Sequence, residues 1–263
     1  MKNTVNKQNF EQWSIVSTNY HDIRPTPPEV ITKTILSWLN KAPDTLVDIG
    51  CGTGISTFIW QNVAANIIGI EPNDEMRAVA ESNPNSGNIA FIKGLSNETG
   101  LPDSYADIIT VAQAFHWMDI DSSLQEFHRI LKPGGVLAIY DFALPPIISW
   151  EIEKAFLELR AKCSRIWYSQ ATPPVHGDKE SYLQRIESFG KFRFARKAPC
   201  HGIERWPLQK AAAFLVHISN AEFAMTIDDD AKKSVSDFID LVSANGKDAF
   251  EIVFPYSLVL AVK

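Results

Sequence analysis

Between residues 45 and 142, short and nearly continuous apolar runs alternate with stretches of helical spacing. Thr45-Leu46-Val47-Asp48-Ile49 and Asn66-Ile67-Ile68-Gly69-Ile70 read as strands, and so does Ile89-Ala90-Phe91-Ile92. Asp107-Ile108-Ile109-Thr110-Val111-Ala112 and Gly135-Val136-Leu137-Ala138-Ile139-Tyr140 complete the set. A strand that is apolar on both faces must be covered on both, which points to a parallel sheet between helical layers. The intervening segments supply the helices. Ile120, Leu124, Phe127 and Leu131 recur at helical spacing, and Pro133-Gly134-Gly135 stops that helix. Strand and helix units repeated in this order predict a doubly wound α/β domain.

The flanks follow another pattern. Thr26-Pro27-Pro28-Glu29 combines a Thr cap, a Pro at the first helical position and a Glu three residues after the cap. Ile31, Ile35 and Trp38/Leu39 give the helix that follows an apolar face. Past residue 145 the alternation lapses. A helix is expected from Trp150 to about Tyr168, with Ile152, Phe156, Leu159, Cys163 and Ile166 on one stripe. Phe189 to Arg196 alternates aromatic and basic residues as an edge strand does, and Pro207 opens a further helix. Asp228-Asp229-Asp230 caps another that ends near Asn245-Gly246, and Phe250 to Val262 forms a long closing strand marked by Pro255. The chain therefore divides into an N-terminal cap and helix (1–40), a strand–helix core (41–145), a helical lid region (146–225) and a closing helix and strand (226–263).

Composition narrows the function. Lys and Arg total 25 against 31 Asp and Glu, a net charge of −6, which argues against a nucleic-acid partner held by phosphate neutralisation. Cys51, Cys163 and Cys200 are odd in number and far apart, so neither a disulfide framework nor a zinc site is expected, and no metal is assigned. The first ten residues are polar and no run approaches a membrane span, which reads as a soluble, cytoplasmic protein without a membrane partner. With 15 Phe, 7 Trp and 6 Tyr, the chain has aromatics enough for a pocket as well as a core.

The candidate chemistry lies where the first strand meets the first helix of the core. There Asp48-Ile49-Gly50-Cys51-Gly52-Thr53-Gly54 forms a glycine turn at the carboxyl end of a strand, the usual place for a ligand crevice. Glu71 ends the second strand, where a carboxylate accepts hydrogen bonds from both hydroxyls of a ribose. Together these make an adenosine-binding arrangement. The third small residue of a dinucleotide fingerprint would fall at Ile55, and no Gly-Lys-Ser/Thr follows, so the spacing disfavours a pyrophosphate and excludes a P-loop.

Val47-Asp48-Ile49-Gly50-Cys51-Gly52-Thr53-Gly54 resembles the first motif of class I S-adenosylmethionine-dependent methyltransferases. Gly69-Ile70-Glu71-Pro72-Asn73-Asp74-Glu75-Met76 and Leu131-Lys132-Pro133-Gly134-Gly135 follow in the order of that family. The stretch from Glu98 to Asp119, with Tyr20 and Arg24-Pro25 upstream, resembles a narrower group that includes trans-aconitate-type, small-molecule methyltransferases. The resemblance implies a Rossmann-like, mostly parallel seven-stranded sheet with an antiparallel terminal strand and a helical lid insertion. It implies S-adenosyl-L-methionine as cofactor and a small-molecule methyl acceptor with an O-, N- or C-nucleophile, for instance a carboxylate. By the same resemblance Gly50 and Gly52 pack on the methionine portion, and Asp48 holds the loop and the amino group, through water or directly. Glu71 takes the ribose, Pro72, Asn73 and Met76 border the adenine, and Ser96 and Asn97 face the adenine edge. Gln113 and Ala114 lie beside the sulfonium, while Tyr20 and Arg24 close over the cofactor or pin the N-terminal segment to the domain. The family usually carries Ala-Glu or Asp-Ala where this chain has Ser96-Asn97.

Plainer roles stand beside these. Asp48 also suits a loop staple. His116 suits a hydrogen-bonded histidine of the motif as well as a general base, with Asp141 or Tyr20 next in line as base. Two alternatives to the enzyme reading are a non-catalytic S-adenosylmethionine-binding module and an NAD-dependent oxidoreductase. For assembly, a monomer or a homodimer is expected.

Overall fold

A computed structural model describes residues 22–84, 86–170, 177–245 and 248–263. Strand β1 (Thr45–Ile49) is followed by β2 (Asn66–Ile70), β3 (Ile89–Ile92), β4 (Ala106–Ala112), β5 (Leu131–Phe142), β6 (Phe194–Pro207) and β7 (Ala249–Val262). They form one seven-stranded sheet in the order β3-β2-β1-β4-β5-β7-β6. The first five pair in parallel, and β7 runs antiparallel to both β5 and β6. The expected doubly wound, mostly parallel sheet with an antiparallel terminal strand is what forms.

The helices are α1 (Glu29–Leu39), α2 (Ile55–Phe58), α3 (Asp74–Glu81), α4 (Ile120–Ile130), α5 (Trp150–Gln170), α6 (Tyr182–Phe189), α7 (Leu208–Ile218), α8 (Ala221–Ile227) and α9 (Asp229–Ala244). Every residue of β1 is buried, as a central strand covered on both faces requires. Alternate residues of the sheet feed two cores. Leu46, Ile108, Val136 and Ala138 pack with α1, α5, α7 and α9, while Val47, Ile109, Leu137 and Ile139 pack with α4 and α6.

Local chemistry explains most of the boundaries. Asp228 caps α9 by accepting the Asp230 N–H at 2.8 Å, as its sequence suggests. The stripe Ile152, Phe156, Leu159 and Cys163 of α5 is buried. Three boundaries differ from expectation. Helix α1 begins at Glu29 with Pro28 in the cap position, because the Thr26 N–H donates instead to Glu204 on β6 at 2.8 Å. The edge strand starts at Phe194 rather than Phe189, since Gly190, at φ +69°, ends α6 first. Pro133-Gly134-Gly135 lies inside β5, which begins at Leu131 directly after α4 because Leu131 pairs with Ala106. Within residues 146–225 the structure holds the long strand β6 as well as helices.

Candidate active site

The strand order reverses between β1 and β4, so the crevice opens at their carboxyl ends. The turn after β1 is shaped by hydrogen bonds to the neighbouring strand. Gly50 N–H and Cys51 N–H both donate to the Ile70 carbonyl, at 2.8 and 3.1 Å. Gly50 has φ +71°, and a Cβ there would meet Ala114 Cβ at 2.7 Å, so only glycine fits. At Gly52, φ +55°, a Cβ would meet Met76 Cε at 3.3 Å.

Glu71 is buried at the end of β2 and locks this turn. Its Oε2 accepts the Gly52 N–H and its Oε1 accepts the Asn73 N–H, each at 2.9 Å. A carboxylate offers about four lone-pair positions, so two remain for a ligand. Burial pushes the Glu71 carboxyl above the usual range, and the Asn73 and Gly52 amides offset part of that rise.

Asp48 is fully buried beneath the turn and is not on the cleft wall. Its Oδ2 accepts from Ser56 Oγ at 2.7 Å and Thr57 Oγ1 at 2.6 Å, and its Oδ1 from Thr110 Oγ1 at 2.8 Å. The side chain is a staple joining β1, the glycine turn and β4, which is the loop-holding role expected of it. Burial raises its carboxyl, and the three hydroxyls oppose that rise.

Of the other expected residues, Arg24, Gly50, Gly52, Glu71, Pro72, Met76, Ser96, Gln113 and Ala114 come together on one cleft. Arg24 sits with its guanidinium carbon 5.9 Å from the Phe214 ring centre. Ser96 Oγ shares a hydrogen bond of 2.8 Å with Ser123 Oγ. Tyr20 lies outside the described residues. Three expectations shift. Asn73 caps α3, its Oδ1 accepting the Met76 N–H at 2.9 Å, and is buried behind the wall. Asn97 also stands off the cleft, with its Oδ1 buried and without a partner among the described residues. His116 is turned away from the cleft, its Nδ1 3.6 Å from Asp141 Oδ1, while its neighbours Trp117 and Met118 face in. In the turn Phe115–Trp117 successive side chains are rotated by about 120°, so His116 and Trp117 point in different directions.

Residues not foreseen complete the far wall: Pro25, Pro27, Tyr140, Phe142 and Tyr256. Tyr256 arrives only because the antiparallel register sets it opposite Phe142, with ring centres 6.0 Å apart. No local signal in the closing strand marks it. Burial pushes the Tyr140 and Tyr256 hydroxyls well up, so both remain neutral donors near neutral pH. Among the described residues, no group of three or more His, Cys, Asp or Glu is placed to hold a metal ion, and no helix is long and apolar enough to cross a membrane.

Residues 47–139 match the methyltransferase domain family. This segment is similar to methyltransferase domains; it runs from β1 through β4 and most of β5, with the glycine turn and Glu71. The chain is 28% identical over 154 residues to a probable S-adenosylmethionine-dependent methyltransferase, CRG1, of Saccharomyces cerevisiae, a match covering 57% of this chain and 51% of that one. It thus spans about half the length of the curated relatives it matches. A putative type II methyltransferase from Anaeromyxobacter dehalogenans superposes with a TM-score of 0.67 at 19% identity, covering 91% of this chain and 97% of that one. The 4+2 cyclase SpnF also shares the fold, with a TM-score of 0.56 at 16% identity over 98% and 96% of the two chains.

Proposed function

We propose that this chain transfers the methyl group of S-adenosyl-L-methionine to a small-molecule acceptor. The observation that carries the reading is the Glu71-locked glycine turn at the β1/β4 crevice, within the segment that matches the methyltransferase domain. The residues present suit the cofactor. Two lone-pair positions of Glu71 are free for ribose hydroxyls, Pro72 and Met76 supply an apolar border for adenine, and Gly50 and Gly52 let the turn approach the methionine portion closely. Gln113 and Ala114 stand opposite Gly50, where the sulfonium end would lie.

The bound cofactor supplies an activated methyl group that departs a sulfonium in an in-line displacement, leaving S-adenosylhomocysteine. The chain's work is then to align the nucleophile and exclude water. Ionisable groups on the described cleft wall are Arg24, Cys51, Glu71, Tyr140 and Tyr256. Glu71 already serves two amides, and burial holds the thiol and both phenols protonated. None of these acts as a base at neutral pH, which favours an acceptor that arrives with its lone pair free, such as a carboxylate, in keeping with the trans-aconitate-type resemblance. Arg24 on the cleft wall supplies positive charge near such an anion. Residues 146–225, with the N-terminal segment, set acceptor choice as a lid, and the protein works in the cytoplasm as a monomer or homodimer without nucleic-acid or membrane partners.

Calorimetric titration with S-adenosylmethionine and, separately, NAD tests the cofactor. Incubation with methyl-labelled cofactor and a metabolite pool tests transfer. Saturable cofactor binding with a labelled small-molecule product is the expected result. NAD binding without S-adenosylmethionine binding would overturn the proposal. Because the cyclase SpnF shares the fold, cofactor binding with no labelled product would instead favour a non-catalytic or non-methylating use of the site.

A further inference from the structure

The loop from Gln113 to Met118 forms the cleft wall nearest Gly50, through Gln113, Ala114, Trp117 and Met118. It is strained at one end: Gln113 is a non-glycine residue at φ +54°, held by its N–H to the Tyr140 carbonyl at 3.0 Å. A separate segment grips this loop from behind. Gly177 N–H donates to the His116 carbonyl at 2.7 Å, and the Tyr182 ring packs edge-on against Phe115 with centres 5.0 Å apart. Between those two contacts stands Lys179. Its Nζ lies 2.8 Å from Asp141 Oδ1 and donates to Gln113 Oε1 at 3.2 Å.

The chemistry of the three groups makes the link directional. An ammonium has only donors, so it turns the Gln113 amide with its oxygen toward Lys179 and its NH2 away. Asp141 is almost fully buried, and a buried carboxylate requires a counter-charge. Lys179 supplies it, with His116 Nδ1 farther off at 3.6 Å. The loop, the end of β5 and the segment after residue 176 are thereby tied at one atom.

We propose that Lys179 is a positioning residue: by holding Asp141 and the Gln113 amide together, it sets the 113–118 wall in the shape the reaction uses. The part of this that concerns reaction rests on the methyltransferase reading above, while the grip on the loop stands without it.

The test compares the wild type with Lys179→Met, Lys179→Arg and the double variant Asp141→Asn/Lys179→Met. Amide hydrogen exchange is followed in peptides covering residues 113–118, and S-adenosylmethionine affinity is measured by calorimetry. Lys179→Met is expected to speed exchange of this loop by about tenfold or more and to weaken cofactor binding, with Lys179→Arg largely restoring both. The double variant removes the uncompensated carboxylate, so its stability returns, yet its loop stays fast and its affinity low. Unchanged loop exchange in Lys179→Met, or full recovery of exchange and affinity in the double variant, would overturn the proposal, because Lys179 would then do no more than neutralise Asp141. A wild-type protein that shows no cofactor binding refutes the methyltransferase reading instead, and the exchange comparison still decides the role of Lys179.

Discussion

Replacing Asp48 separates a structural staple from a cofactor contact. In Asp48→Ala, the hydroxyls of Ser56, Thr57 and Thr110 lose their common acceptor inside the core. Each hydrogen bond to a charged group contributes about 1.5–3 kcal/mol, and the desolvation of a fully buried carboxylate offsets part of the sum. A net loss of about 3–5 kcal/mol follows, enough to lower the melting temperature by roughly 5–9 °C in a chain of this size. Asp48→Asn behaves differently. Its carbonyl can take the place of Oδ2 and keep Ser56 and Thr57, while its NH2 faces the Thr110 hydroxyl, which rotates to accept. The loss should stay below about 1.5 kcal/mol, and S-adenosylmethionine affinity should hold within about threefold. Differential scanning calorimetry and isothermal titration read the two quantities. If Asp48→Asn keeps its melting temperature but loses affinity by roughly 10- to 100-fold, the scale of a lost charged hydrogen bond, then Asp48 binds the cofactor and the staple argument fails.

Three further outcomes are expected. Glu71→Gln offers one carbonyl to two backbone N–H groups, so it should weaken S-adenosylmethionine binding at least about tenfold, with Glu71→Ala weaker still; an unchanged dissociation constant would count against the ribose role. Gly50→Ala forces a Cβ to within 2.7 Å of Ala114 Cβ at positive φ, and should abolish measurable cofactor binding while the far-UV circular dichroism stays native-like; retained affinity would show that the turn yields. Burial acts to raise the Asp107 carboxyl, but Lys132, Lys41 and the Thr45 N–H outweigh it and hold it down to about 2. A depressed carboxyl stabilises the fold above its unfolded value and loses that stabilisation as pH falls. Denaturant titrations should therefore show about 1–2 kcal/mol lost between roughly pH 4 and 2, after allowance for the water around Lys41, and Asp107→Asn should flatten that slope.

Much of the cofactor half was legible because its signals are local. A buried strand, a glycine turn and a terminal acid lie within 27 consecutive residues from Thr45 to Glu71, and each carries its own conformational reason. Pro72, Met76, Ser96, Gln113 and Ala114 were implied only by the family resemblance, and the structure brings all five to the cleft. Elsewhere two roles competed for one residue type. Asn73 is a natural helix cap as well as a ligand donor, and capping wins because the Met76 N–H lies within its reach. Asp48 could face the turn or the core, and three hydroxyls from two other elements draw it inward.

The aromatic surplus shows the same limit at longer range. Trp206, Phe214 and Phe254 stack into the core, whereas Tyr140, Phe142 and Tyr256 line the cleft, although all six are buried aromatic residues. The continuous apolar runs and the period-3.6 segments between them alone determined the doubly wound sheet, since burial on both faces leaves a parallel strand few other homes. Only the tertiary structure decided which side chains meet across elements: Tyr256 opposite Phe142 through the β5–β7 register, His116 turned toward Asp141, and Lys179 set on Gln113. Those contacts join residues 114, 25 and 66 positions apart, and their choice depends on strand register and loop docking, which no local pattern encodes.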